Sequence, residues 1–197
     1  MGADAGVATR AWRGIGELAG LVGAYCWVEN RIFEFSGTWA SGADEDATAD
    51  LDPALRVWCA GVSLRHGALA SRWAERLPVR AGVDPGALVT APPGPLAGAL
   101  DALAARPAPV GVAALIGAVL PGLLGVYGSH LRTASPVGEA PVLEVLAEAQ
   151  RALGGEVRSG RLLLEGSPEG LTRDGALEQS VKRAFEATHV FPADSPS

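Results

Sequence analysis

Lysine is nearly missing: Lys182 stands alone beside 15 arginines, and no run of basic residues occurs anywhere in the 197. With a net charge of −6, this excludes the clustered positive surface on which nucleic-acid affinity depends, so no nucleic-acid partner is expected. Cysteine is scarce as well. Cys26 and Cys59 make no Cys-x-x-Cys pair and no disulfide framework, and read as small core residues in a reducing cytoplasm. The opening MGADAGVATRAWRG lacks a basic start followed by an apolar run, so no secretory signal is expected. Neither an alternating strand pattern nor a repeat of fixed period is present, and no dinucleotide fingerprint or phosphate loop.

What is abundant is helical periodicity. Residues 10–36 carry Trp12, Ile15, Ala19, Val22, Cys26, Glu29 and Phe33 on one stripe, a rod of roughly 40 Å. After SGADEDATAD, Asp52-Pro53 offers an N-cap with proline at the first helical position, opening a helix that runs to about Leu77, before Pro78. Its stripe is Leu55, Cys59, Val62, His66, Leu69 and Trp73. Residues 78–109 hold seven prolines around a short amphipathic piece, Leu96 to Ala105, and read as a long crossover. A third long helix follows over Val110 to Thr133 and a fourth from Glu139–Pro141 to Glu165. Asp174 caps a final short helix through Ala187, with HVFPADSPS as a flexible tail.

Residues 107–129, PAPVGVAALIGAVLPGLLGVYGS, have no charge and are long enough to cross a bilayer. Five glycines, Pro109 and Pro121, weak basic flanks and amphipathic neighbours favour instead a buried central helix, kinked at Pro121, and no membrane partner.

The third helix stripe, Val112, Ile116, Val119, Leu123, Val126, His130 and Thr133, makes His130 a second inward histidine. The fourth, Val142, Leu146, Ala149, Leu153, Glu156, Gly160 and Leu163, places Glu156 inward beside Glu29 of the first. Rise per residue puts Glu29 and Glu156 at similar depth and the two histidines deeper, favouring the pairings Glu29 with Glu156 and His66 with His130. Tyr127 and Ser63 are candidate hydrogen-bond partners for a histidine held in the core, and Arg31 and Arg158 for the glutamates. Trp12, Trp27, Trp39, Trp58 and Trp73 all lie on or just after the first two helices, where ordinary packing explains them.

The segments WAERLP (73–78), PPGPL (92–96), VLPGLLGVYGSHL (119–131) and TASPV (133–137) resemble a bacterial group of ferritin-like proteins over roughly residues 10–166. The Ala-, Gly-, Pro- and Arg-rich composition fits a GC-rich bacterial genome. Two long helices joined by a short loop, a long linker and two more joined by a short loop themselves describe an all-α, up-down-down-up four-helix bundle of the ferritin-like type. It covers residues 1–166, with the crossover at 78–109, then a short helix and tail over 167–197, and the resemblance agrees. Di-metal members of that class use a Glu on two helices and Glu-x-x-His on the other two. Here Glu29 and Glu156 match carboxylate positions. The second helix offers Cys59 and Val62, the third no carboxylate, and Ser159 stands where a histidine belongs.

The expectation is therefore a degenerate ferritin-like bundle holding a small apolar or amphipathic molecule in an internal pocket, with His66, His130 and Tyr127 as polar contacts and no cofactor. The alternatives are a metal-dependent oxidoreductase with iron or manganese on Glu29, Glu156 and one histidine, and a structural or interaction protein, for instance a helix-mediated homodimer.

Overall fold

Asp52 accepts the Ala54 N–H at 2.7 Å while Pro53 takes the first helical position, and from this cap α2 runs Pro53–Ala74. In the computed structural model, which describes residues 13–42, 51–79, 82, 84–166 and 171–188, each long stretch of helical periodicity folds as a helix. The remaining helices are α1 (Ile15–Ser41), α3 (Leu96–Ala104), α4 (Ala108–Thr133), α5 (Ala140–Gly166) and α6 (Gly175–Glu186). Among the described residues there is no strand, and the protein is all-α. Trp12, most of the acidic loop (43–50) and the tail (189–197) lie outside the described residues.

α1 continues beyond its expected end at residue 36 and stops at Gly42, whose φ of 69° supplies the left-handed turn that releases a helix. The extra turns are held by Phe35 and Trp39, both buried. Trp39 lies against Gly111 of α4, where a Cβ would collide with its ring. The α1 stripe holds from Ala19 to Glu29, whereas Ile15 in the first turn is 65% exposed and Phe33 is 43% exposed although its ring lies against Gly67 of α2. All six stripe residues of α2 are buried.

Side-chain contacts fix the helix directions. Cys26 meets Ala70 and Ser63 meets the Phe33 carbonyl, so α1 and α2 are antiparallel. Trp58 with Ser159 and Arg72 with Glu148 make α2 antiparallel to α5. Gly160 against Ile116 and Gly128 against Gln150 do the same for α5 and α4, and Trp39 at Gly111 with Tyr25 at His130 for α1 and α4.

The crossover passes over α1, where the Leu88 carbonyl of a single 3-10 turn (Pro85–Leu88) rests where a Cβ of Gly23 would stand. α3 then inserts Leu96, Leu100 and Leu103, all inaccessible to solvent.

α4 is not simply kinked at Pro121. Its segment Leu115–Val119 is a π turn, in which Leu120 N–H reaches the Leu115 carbonyl. Proline at 121 lacks the donor for the carbonyl four residues back and crowds it, and one widened turn just upstream accommodates both effects. α6 covers this region, with Phe185 on Gly122 and the Glu178 carboxylate on Gly117. α4 is the one helix among the described residues long and apolar enough to span a membrane, and 67% of its most apolar window is buried inside the protein.

Candidate functional site

Two chains of hydrogen-bonded polar side chains run through the apolar core. In the first, His66 of α2 faces α1 on one side and α5 on the other, so its ring stands between two carboxylates. Nδ1 contacts Glu29 Oε2, and Nε2 is 3.1 Å from Glu156 Oε2. Glu156 also receives Arg65 Nε, and Glu29 receives the Tyr127 hydroxyl from α4. Trp73 Nε1 donates to that hydroxyl at 3.2 Å. Burial disfavours charge on His66, but the two carboxylates together outweigh it and raise its pKa to about 9. His66 is thus an imidazolium at neutral pH, both ring N–H groups donating, and with Arg65 it balances Glu29 and Glu156.

The second chain lies toward the end of the bundle. His130 Nδ1 is 3.0 Å from the Tyr25 hydroxyl, and Nε2 is 2.7 Å from Glu139 Oε2. Glu139 sits just before α5 and also accepts the Ser135 N–H and both contacts from Arg13 Nη1, at 3.3 Å. Burial pushes the His130 pKa down; Glu139 opposes this, while Arg13 adds to it. For Glu139, the bonds from His130 and Ser135 together with the Arg13 charge overcome burial and hold its carboxyl below the usual range. The arrangement that satisfies every partner is a neutral His130, protonated on Nε2, with Tyr25 donating to Nδ1.

Tyr25 links the two chains by packing. Its ring stands edge-on to Tyr127 with centroids 4.9 Å apart, and 5.0 Å from Trp73. Burial, the largest influence on each, raises both phenol pKa values well above normal, and Glu29 adds to this at Tyr127. Both remain donors. Cys59 is likewise pushed up to about 12 by burial and is an inert thiol.

Glu29, His66, Glu156 and Tyr127 are therefore brought together, and His130 is not among them. The expected pairing of His66 with His130 is corrected: each histidine is bound to carboxylates, and Glu29 and Glu156 meet through His66 rather than directly. Depths counted from helix ends failed because α1 runs to Ser41, five residues past its expected end, which sets Glu29 deeper and level with His66. Tyr127 serves Glu29 rather than a histidine, and Ser63 serves the Phe33 carbonyl. Arg31 pairs with Glu34 and Asp101 instead of Glu29, and Arg65, not the expected Arg158, reaches Glu156. Tyr25, Arg65, Trp73, Arg13 and Glu139 join the networks without having been singled out as partners from the sequence. Tyr25 carried a signal, being four residues before Glu29 and so on the same helix face.

The donor set does not fit a metal centre. Both ring nitrogens of His66 point at carboxylates, leaving no lone pair directed at a shared point, and the Arg65 guanidinium occupies the cation position at Glu156. Among the described residues no group of three His, Cys, Asp or Glu side chains is arranged to hold a metal ion.

A cavity of about 320 Å³ opens at the bundle end. Leu18 and Ala19 of α1, Val142 of α5 and Pro78 wall it, and Arg13, Arg76 and Glu139 supply charge. His66, His130 and Tyr127 do not line it, although Glu139 connects His130 to its wall. Comparison with protein-family models, curated proteins and solved structures finds no match.

Proposed function

We propose that this chain is a cytoplasmic, ferritin-like helical bundle that binds a small, largely apolar molecule, with the ligand in the cavity at the bundle end rather than among the core histidines. The helix directions support the ferritin-like reading: α1 and α5 each run antiparallel to both α2 and α4, as an up-down-down-up bundle requires. The observation that carries the binding site is the cavity itself, apolar in its walls, of a size at the small end of ligand pockets, and backed by the Glu139–His130–Tyr25 chain. In this reading His130 acts through Glu139 as a positioning residue, while His66 and Tyr127 hold the core together.

Native mass spectrometry of the purified full chain tests the proposal. A small molecule should accompany the wild-type protein and be lost in Ala19→Phe, which fills the cavity, with helicity unchanged. Metal analysis tests the alternative: after mild chelation the protein should hold well under one iron or manganese per chain. Stoichiometric iron with a di-iron optical signature would restore the oxidoreductase reading and overturn this one.

A further inference from the structure

Four helix ends surround the cavity: α1 and α5 begin there, and α2 and α4 finish there. The partial charges of two N-termini and two C-termini oppose one another, so side chains decide the sign of the site. Arg13 is committed to Glu139 and to the Thr133 hydroxyl. Glu139 is in turn satisfied by Arg13, His130 and Ser135. Arg76 has no such commitment. Its Nε is buried without a hydrogen-bond partner, and no ion pair is seen for it among the described residues. Arg31 and Arg72 share the unpartnered Nε, but their terminal nitrogens hold Asp101 and Glu148. Among the described residues the cavity is therefore left with one positive charge that no ion pair offsets, beside an apolar wall.

We infer that the ligand of this cavity is a small amphipathic monoanion, of the class of a medium-chain carboxylate, with its apolar body against Leu18, Ala19 and Val142 and its head at Arg76. The inference rests on the cavity reading above and adds the ligand's charge. A guanidinium fork matches a carboxylate in two parallel hydrogen bonds, and a site half shielded from water strengthens them. A neutral ligand would leave Arg76 unpaired in a less hydrated place, and a cation would be repelled.

Isothermal titration of the full chain with octanoate, 1-octanol and octylamine tests this. Octanoate should bind at least about tenfold more tightly than 1-octanol, and octylamine the weakest. Arg76→Leu and Arg76→Gln, both checked for wild-type helicity, should abolish the preference by weakening octanoate alone. Arg76→Lys should restore part of it, and Ala19→Phe should weaken every probe. If 1-octanol or octylamine binds as well as octanoate, or if both Arg76 variants keep the octanoate affinity, the inference falls while the cavity reading stands. Octanoate binding that survives Ala19→Phe places it elsewhere and also sinks the inference. If none of the three probes binds the wild-type chain, the cavity reading falls with it.

Discussion

His66 and His130 are both inaccessible to solvent in the same bundle, yet one carries a proton at neutral pH and the other does not. Burial opposes the charge in both. The difference lies in what each second ring nitrogen meets: a second carboxylate for His66, a phenol for His130. One buried carboxylate already compensated by Arg13 does not hold a proton on a desolvated imidazole, whereas two carboxylates do. Neighbours, and not depth, set the charge of a buried histidine here.

The largest effect should come from removing the cationic member. His66→Leu leaves Glu29 and Glu156 buried with no charge between them, and should cost about 3–5 kcal/mol. His130→Leu removes a neutral hydrogen-bonding group and should cost about 1–3 kcal/mol. Equilibrium urea denaturation of both variants measures the gap, and equal losses would break the comparison.

Next in size is the pH dependence, because the two histidines limit stability from opposite sides. His66 has its folded pKa raised to about 9 from 6.5, so its contribution is complete below pH 6.5 and is lost as pH rises toward 9. His130 has its folded pKa lowered, so its contribution is present above 6.5 and is lost as pH falls below it. Glu139, held below its usual 4.5, adds a further loss at lower pH. Unfolding free energy should therefore fall on both flanks of a neutral maximum. His66→Gln should flatten the flank between pH 6.5 and 9 and leave the acid flank, while His130→Gln should do the reverse. A wild-type profile that is flat from neutrality to pH 9 would contradict a cationic His66.

The smallest effect should come from Arg65→Gln. Arg65 is 47% exposed, so solvent screens its pairing with Glu156 and the loss should be at most about 1 kcal/mol. Its signature is instead in titration: with one cation fewer, NMR should show His66 holding its proton to higher pH. Arg13→Gln should raise the His130 pKa as well, since the Arg13 charge is one of the influences depressing it.

Much of the fold was legible because helices declare themselves locally. The caps at Asp52 and Asp174 and the stripes of α2 and α5 needed only residue spacing, and the structure holds them where that spacing put them. The inward positions of Glu29, His66, His130 and Glu156 followed from the same periodicity. Their partners did not, because which residues meet across helices depends on how far each helix slides along its neighbour, a quantity set by loops and core packing. Glu139 and Arg13 were harder still, since one lies in a turn and the other before α1, where no period distinguishes an inward from an outward side chain. Arg65 precedes His66 by one residue, on a face that spacing assigns to solvent, and only its long stem brings the guanidinium back to Glu156.

The π turn at Leu115–Val119 also sets an angular phase. It behaves as a helix carrying one residue more than its regular path needs, and each residue turns an α-helix by about 100°. Deleting one residue within this turn would restore an unbroken α-helix upstream of Pro121 and swing everything beyond it around the axis. Tyr127 and His130 would then leave the sides of Glu29 and Tyr25 together, uncoupling both polar chains through a change more than one helical turn away from either.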